Sequence, residues 1–317
     1  MQKSIVTLTI NPTLDRSTQI EVVTPNEKLR CDQPDREPGG GGINVSRAIR
    51  RLGGESLAIY PCGGPMGETF QRLLEDEGVT HRTIPIAGWM RENLTVFEGS
   101  SNQQFDFDMP GPELANAEWQ RTLDELADVD PPPDYVVASG SCPPGVPTDF
   151  YQRVSDVSKE LGSRLVVDTS GRPLRLAAEA GVYLLKPNMR ELGHLIGETI
   201  ESEEQQVAAA RDLVEESKAE VVVVSMGAGG ALLVTPDGKA EHLRSPTVPI
   251  RSRVGAGDSM VAGIVLGLAR GKDVRDATLY GLAAGGAAVM TPGTELCRLE
   301  DTDQLYRHLI SGEIYES

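Results

Sequence analysis

The sequence lacks closely spaced cysteines. Its four cysteines, Cys31, Cys62, Cys142 and Cys297, are far apart, which argues against a C-x-x-C zinc site and a disulfide framework and indicates a reducing compartment. No apolar run is long enough to span a bilayer, since a membrane helix needs about 20 apolar residues. The first residues alternate in polarity like a strand and do not form a secretion signal. We therefore expect a cytoplasmic protein that does not enter a membrane.

Positive charge is also scarce. The chain has 30 Lys plus Arg against 47 Asp plus Glu, which gives a formal net charge of −17. A surface of this charge repels nucleic acid and anionic lipid, so neither is expected as a partner. A protein of this composition that binds a phosphorylated ligand must place its few cations at the binding site.

Glycine, in contrast, is abundant, with 34 residues in a chain of 317. This length is sufficient for one large α/β domain with a smaller appendage. From residue 110 onward, apolar strand patterns alternate with helix patterns, and the run 221–224 is wholly apolar. Such alternation predicts a mostly parallel sheet that is covered on both faces by helices.

The strand patterns in 13–36 and 84–109 are of another kind. Segments such as 17–23, 28–35 and 93–98 alternate between polar and apolar residues, so they cannot all belong to the buried sheet. We interpret 13–36 and 84–109 as a small inserted β-sheet that lies over the active-site end as a lid. The core would then comprise 1–12, 37–83 and 110–317. Because a one-layer sheet with an apolar face needs cover, we expect a homodimer through the lid.

Residues 254–260 have the sequence V-G-A-G-D-S-M and precede an apolar helix pattern. Gly255, Ala256 and Gly257 would present backbone N–H groups at the positive end of that helix, where an anion such as phosphate binds. Asp258 beside an anion site is explained if it takes a proton from a hydroxyl that attacks the phosphate. A plain helix cap with glycines for tight packing explains the same residues equally well.

Four glycines at 39–42 precede a second helix pattern. Gly40 and Gly41 would let the backbone lie against a ligand, and Asn44 could bond to sugar hydroxyls. The alternative is a flexible hinge between lid and core.

Other polar residues follow predicted strands, where the ligand crevice of a parallel sheet lies. Asp15 could accept hydrogen bonds from sugar hydroxyls, and Ser139 ends a core strand. Lys28 and Arg30 would share one face of a lid strand, and Arg91 lies in another lid segment. Three cations placed together suit a phosphate on the substrate. Each of them alone is more typical of a solvated surface charge, so the interpretation depends on their joint placement.

Residues 186–191 have the sequence K-P-N-M-R-E, and 225–230 have S-M-G-A-G-G. Asn188 and Glu191 would lie on one side of a first helical turn, where Glu191 could hold a hydrated Mg²⁺. The same spacing is typical of a capping box. The glycine-rich loop at 225–230 suits a nucleotide or a hairpin turn, and it is not a Walker A motif.

Together these motifs resemble the signatures of the ribokinase-like carbohydrate kinases, the PfkB family. Residues 38–45 resemble the first signature, 254–260 the second and 186–191 the N-x-x-E element, in the family's order and across essentially the whole chain. The resemblance implies a three-layer α/β/α core with a mostly parallel sheet and a small β-sheet lid. Within the family, the runs 27–31, 89–93 and 293–297 are most similar to the minor bacterial type of 6-phosphofructokinase.

The resemblance implies transfer of the γ-phosphoryl group of MgATP to the C1 hydroxyl of fructose 6-phosphate. Asp258 would be the base, and the anion hole would be formed by Gly255, Ala256 and Gly257. The sugar phosphate would be bound by Asp15, Lys28, Arg30, Gly40, Gly41, Asn44, Arg91 and Ser139. ATP would contact Lys186, Asn188, Ser225, Gly227 and Gly230, while Glu191 would organise Mg²⁺ through water.

Relatives also hold a potassium ion with loop carbonyls, which would here belong to Ser252, Val254, Ala288, Thr291 and Gly293. Thr291 and Glu295 stand where asparagine and arginine are expected. Phosphorylation of fructose 1-phosphate or tagatose 6-phosphate remains an alternative to the proposed reaction. A sugar-phosphate sensor without catalysis is a further one.

Overall fold

A computed structural model describes residues 2–311. The strands are β1 (Ile5–Leu8), β2 (Thr13–Ile20), β3 (Asp35–Gly39), β4 (Leu57–Cys62), β5 (Thr80–Pro85), β6 (Arg91–Glu98), β7 (Gln103–Phe107), β8 (Tyr135–Ser139), β9 (Arg164–Asp168), β10 (Val182–Leu185), β11 (Ala219–Ser225), β12 (Ala231–Val234) and β13 (Ala240–Leu243). The helices are α1 (Gly41–Arg51), α2 (Gly64–Asp76), α3 (Asn116–Ala127), α4 (Phe150–Glu160), α5 (Gly171–Ala180), α6 (Met189–Ile196), α7 (Glu203–Glu215), α8 (Ala256–Ala269), α9 (Val274–Val289) and α10 (Leu299–Ser311).

A nine-stranded sheet in the order β13-β12-β11-β10-β9-β8-β1-β4-β5 forms the core. Neighbouring strands are parallel except in the pairs β11–β12 and β12–β13, which are antiparallel and lie at one edge. Successive valines of β11 point to opposite faces. Val221 and Val223 pack with α1, α8 and α9, whereas Val222 and Val224 pack with the layer that contains α4 and α7. Both faces are therefore covered, which confirms the three-layer α/β/α prediction.

A separate four-stranded sheet in the order β3-β2-β6-β7 forms the small layer. The two sheets differ by a few residues from the boundaries expected for lid and core. Residues 37–39 complete β3 in the small sheet, and residues 84 and 85 complete β5, which pairs with β4 in the large sheet.

The strand predicted over 28–35 is wrong, because the chain between Ile20 and Asp35 has no strand. Asp32 instead forms two isolated bonds to β2, one from its amide to the Gln19 carbonyl and one from the Thr18 hydroxyl. Pro34 has no N–H to donate to a strand ladder. Polar alternation in this segment therefore comes from an exposed irregular chain.

Helix α8 is buried along nearly its whole length, and it packs against α1 and α9. Its first turn is the least buried part and opens on the carboxyl ends of the core strands. Across residues 2–311, no helix combines the length and the apolar character that crossing a bilayer would require.

Candidate active site

The turn before α8 provides unpaired backbone donors. Gly255 caps the helix in the left-handed conformation, with φ of 72°. An added Cβ at Gly255 would lie 2.5 Å from Cδ2 of Leu296, so both the conformation and the space require glycine. Within residues 2–311, the amides of Gly255, Ala256 and Gly257 donate to no acceptor. These unpaired donors lie at the positive end of a helix, the arrangement that binds anions in proteins.

Asp258 lies in the first turn of α8, beside these amides. Its Oδ2 accepts a hydrogen bond of 2.9 Å from Nδ2 of Asn44 on α1. Burial, reinforced by the neighbouring carboxylate of Asp168, raises the pKa of Asp258 to about 6. At neutral pH the carboxylate is mostly ionised, yet more basic than an ordinary aspartate. Asp258 is therefore suited to take a proton, and Asn44 orients it.

Asp168 is a further functional candidate, to which the sequence analysis assigned no role. It ends β9, and its Oδ1 lies 3.2 Å from Nζ of Lys186, which is only 5% exposed. The same carboxylate contributes to raising the pKa of Asp258 and of Glu191. An acidic residue at the end of a buried parallel strand was the signal available in the sequence. Asp168 thus lies close to the turn at 255–258, here called the anion turn, and to the predicted nucleotide loop at 186–191.

The glycine run at 39–42 lies within regular structure, where β3 of the small sheet passes into α1 of the core. Gly39 ends β3, and Gly40 caps α1 with φ of 105°. A Cβ at Gly41 would overlap the Ser139 side chain and lie 2.8 Å from the Gly140 amide. The run therefore allows α1 to pack directly on the end of β8, which places Ser139 against Gly41 and Asn44 near Asp258.

Buried polar atoms without partners line the side of the crevice next to the small sheet. The carboxylate of Asp15 and the guanidinium of Arg91 lie near each other, and burial raises the pKa of Asp15 to about 6 despite the opposing charge of Arg91. Within residues 2–311, the atoms on this side of the crevice without a hydrogen-bond partner of good geometry are Thr9 Oγ1, Asn11 Oδ1, Thr13 Oγ1, Asp15 Oδ1 and Arg91 Nε. The Asp15 carboxylate also interacts with the side chains of Thr13 and Asn93. Buried atoms without a partner are costly unless a ligand or water bonds to them. A sugar with several hydroxyl groups would satisfy this set.

Arg91 is held in place by the ends of two loops. Its guanidinium donates to the carbonyls of Met109 at 2.9 Å and Asn11 at 3.2 Å. Thr9, Asn11 and Thr13 did not appear among the predicted site residues, although they follow one another at alternate positions after the first buried strand.

Lys28 and Arg30 are not brought into the crevice. Both are exposed in the irregular segment between β2 and β3. Within residues 2–311, neither forms a hydrogen bond or an ion pair. The joint prediction required both side chains on one face of a strand, and no strand forms between Ile20 and Asp35.

The predicted nucleotide loop contains the capping box. Asn188 Oδ1 accepts from the Glu191 amide at 2.9 Å, and Glu191 Oε2 accepts from the Asn188 amide at 2.8 Å. Glu191 Oε1 takes no part in the cap. Burial raises the pKa of Glu191, and the charge of Asp168 adds to this rise. Glu191 and Asp168 carry carboxylate oxygens, the kind of ligand that a hydrated Mg²⁺ prefers.

The glycines of the loop at 225–230 have two different surroundings. Ser225 ends β11 and bridges to Asn188, which joins this loop to the loop at 186–191. Gly227 is exposed, and nothing lies within 4 Å of its added Cβ. Gly230 is buried, and an added Cβ would overlap the Leu243 carbonyl. Gly227 can therefore face a ligand, whereas Gly230 is needed for packing.

The loops predicted to hold potassium lie side by side, because the amides of Arg251 and Ser252 both donate to the Val289 carbonyl. In the described chain, the carbonyls of Ser252, Val254, Thr291 and Gly293 accept no hydrogen bond from the backbone or a side chain. Four such free carbonyls fit a potassium ion. Ala288 fits less well, since its carbonyl accepts bonds from the amide of Thr291 at 3.2 Å and the hydroxyl of Thr291 at 2.7 Å.

Comparison with known proteins identifies the architecture around this crevice. The chain is 46% identical over 302 residues to the ATP-dependent 6-phosphofructokinase isozyme 2 of Mycobacterium tuberculosis, covering 95% of this chain and 88% of the relative. It is 33% identical over 293 residues to the 1-phosphofructokinase of Bacillus subtilis, covering 92% and 95%.

Its structure superimposes on phosphofructokinase-2 from Escherichia coli, solved in complex with potassium, with a TM-score of 0.94 at 39% identity and coverage of 97% and 99%. A family model described as pfkB family carbohydrate kinase matches residues 7–302. The chain is therefore a phosphotransferase with an alcohol acceptor and belongs to the pfkB family of carbohydrate kinases.

Proposed function

We propose that the protein is an ATP-dependent 6-phosphofructokinase that phosphorylates the C1 hydroxyl of fructose 6-phosphate. The observation that carries this proposal is the position of Asp258, a carboxylate of raised pKa beside three unpaired amides at the start of α8. Asp258 takes the proton of the attacking hydroxyl, and the amides of residues 255–257 stabilise negative charge on the phosphoryl group during transfer.

The unpartnered atoms near Asp15 and Arg91 support binding of the sugar phosphate on the side of the small sheet. The hydroxyl groups of the sugar satisfy Thr9, Asn11, Thr13 and Asp15, while Arg91 binds the phosphate. Gly40, Gly41 and Ser139 form the base of the crevice between these sugar-binding residues and Asn44. Lys28 and Arg30 would contribute only if the segment between β2 and β3 folds inward over bound sugar.

The nucleotide occupies the opposite side of the crevice. Lys186 binds the ATP phosphates near the anion turn, and Asn188, Ser225 and Gly227 line the remainder, with Gly230 shaping the loop. Glu191 and Asp168 would hold Mg²⁺ through water, and the bound ion would offset phosphate charge. Potassium would be held by the carbonyls of Ser252, Val254, Thr291 and Gly293, with Ala288 as the weakest candidate.

The substrate can be tested on three phosphosugars with MgATP. The relatives named 6-phosphofructokinase isozyme 2 are 46% and 40% identical to this chain, against 33% for a named 1-phosphofructokinase. We therefore expect the highest kcat/KM with fructose 6-phosphate, followed by tagatose 6-phosphate and fructose 1-phosphate. A higher kcat/KM with fructose 1-phosphate would move the assignment to that activity. Sugar binding without release of ADP on any of the three would support a sensor.

We also propose a homodimer through the small sheet. Five of the large apolar side chains that are most exposed lie in the predicted lid, namely Val22, Leu29, Trp89, Phe107 and Met109. Contact of these side chains with a second copy of the chain would remove their apolar area from water. Sedimentation equilibrium should give twice the chain mass of 34.1 kDa, and Phe107→Asp should shift the mass toward one chain. An unchanged monomer at all concentrations would contradict the dimer.

The four cysteines form no disulfide with one another. This pattern supports the proposed location in a reducing cytoplasm.

A further inference from the structure

Arg47 is a buried cation that the proposed reaction does not use. It lies on α1, one helical turn after Asn44, and is only 1% exposed. Its guanidinium donates to both carboxylate oxygens of Glu77 at 2.8 and 2.6 Å, to the Pro38 carbonyl at 2.7 Å and to Glu37 Oε1 at 3.1 Å. Charge-assisted bonds in a bidentate arrangement are among the strongest that side chains form. Arg47 therefore fixes β3 of the small sheet to α1 of the core.

Glu37 continues this contact to a distant part of the chain. Its second oxygen, Oε2, accepts a hydrogen bond from the hydroxyl of Thr294, although the two residues are 257 positions apart. Thr294 is 7% exposed and lies in the loop between α9 and α10. A second contact supports the same loop, since Arg51 on α1 lies 3.6 Å from Glu295. The loop is thereby attached to both the small sheet and α1.

The same loop packs on the anion turn. The Leu296 side chain occupies the space beside Gly255, where an added Cβ would lie 2.5 Å from Leu296 Cδ2. The amide of Cys297 lies 3.5 Å from the hydroxyl of Ser259, which is in the first turns of α8. A shift of this loop would therefore move the backbone that carries the unpaired amides.

We propose that Arg47, Glu37 and Thr294 form a latch that couples the small sheet to the anion turn. Glu37 and Thr294 are positioning residues for phosphoryl transfer. When β3 is seated on α1, the Glu37 carboxylate holds Thr294, and the loop holds Gly255 and the amides of residues 255–257 in the orientation that stabilises the transferring group. The inference rests on the proposed kinase activity, since the amides act on a phosphoryl group.

The latch predicts a specific effect of Thr294→Val, which removes the hydroxyl and keeps the shape of the side chain. The kcat should fall about tenfold or more, because a lost hydrogen bond to a charged group displaces donors that act in the transition state. The KM values for ATP and sugar phosphate should stay within about twofold of the wild-type values, since those sites keep their residues. Thr294→Ser, which retains the hydroxyl, should restore kcat.

Thr278→Val is the matched control, because Thr278 is also buried, and among the described residues its hydroxyl bonds only to the Val274 carbonyl within α9. It should leave kcat unchanged even if it lowers the melting temperature. Hydrogen exchange provides a readout that needs no sugar. Thr294→Val should accelerate exchange at 254–259 and 290–297, and Thr278→Val should not.

Equal kcat values for Thr294→Val and Thr294→Ser, or unchanged exchange at 254–259, would overturn the latch. A wild-type protein that turns over no phosphosugar would refute the proposed function instead, while the exchange data would still decide whether the coupling exists.

Discussion

Asp258→Asn should lower kcat by about 10²- to 10⁴-fold, which is the contribution typical of a positioned general base. Asparagine has nearly the same shape as aspartate and can still accept the hydrogen bond that Asn44 donates at 2.9 Å. The fold and the dissociation constant for the sugar phosphate should therefore change little. Steady-state kinetics would measure the first effect and calorimetric titration the second.

The pH profile provides the control for this variant. Burial and the charge of Asp168 raise the pKa of Asp258 to about 6. Because the ionised form is the base, wild-type kcat/KM should be constant above that pH and fall as the pH decreases through about 6. The pKa of Asp15 is also raised to about 6, and a sugar phosphate titrates near pH 6 as well. In Asp15→Asn, kcat/KM should therefore still fall as the pH decreases, because Asp258 is retained. This fall is the acidic limb of the profile.

Near-normal turnover of Asp258→Asn would remove Asp258 from the mechanism. The residual activity of this variant, if any is measured, should lack the part of the acidic limb that Asp258 causes. If kcat/KM of Asp258→Asn falls toward acid pH as it does in the wild type, the fall belongs to the substrate phosphate or another group.

Gly255→Ala should lower kcat by about 10²- to 10³-fold, the loss seen when a donor to a developing anion is removed. The φ of 72° is unfavourable for alanine, and the new Cβ would lie 2.5 Å from Leu296 Cδ2. The Leu296 side chain must therefore shift, and the strained φ favours a changed conformation of the turn. A changed turn displaces the amides of Ala256 and Gly257 from the phosphoryl group.

Gly271→Ala separates this effect from ordinary backbone strain. Gly271 follows the other end of α8 with φ of 87°, and nothing lies within 4 Å of its added Cβ. Both variants should lower the melting temperature through unfavourable φ, but only Gly255→Ala should lose turnover. A comparable loss of kcat in Gly271→Ala would mean that general destabilisation, and not the anion turn, explains the result.

Local backbone requirements made several predictions accurate. The turn at 254–258 and the glycine run at 39–42 were identifiable because a left-handed conformation and the close packing of α1 on β8 both demand glycine at fixed positions. The core layers followed from continuous apolar strands such as 221–224, which only a doubly covered sheet buries. These features depend on a residue and its near neighbours, so the sequence displays them directly.

Other predictions failed or were incomplete because distinct structures share the same pattern. Alternating polarity at 28–35 suggested a strand, yet Lys28 and Arg30 lie in an exposed irregular segment. The spacing of Asn188 and Glu191 indicated both a capping box and a metal ligand, and the cap leaves one oxygen of Glu191 outside it. Asp168 and the atoms of Thr9, Asn11 and Thr13 acquire significance only from what surrounds them.

The sequence by itself determined the alternation of strands and helices, the glycine turn before α8 and the acid beside it, because each follows from local propensity and backbone geometry. The tertiary structure alone decided that Asn44 bonds to Asp258 across 214 positions, that Asp168 pairs with Lys186 and raises the pKa of Asp258, and that Glu37 accepts a bond from Thr294. The physical reason is that burial and electrostatic coupling depend on distance in space, and the order of residues along a chain does not specify that distance.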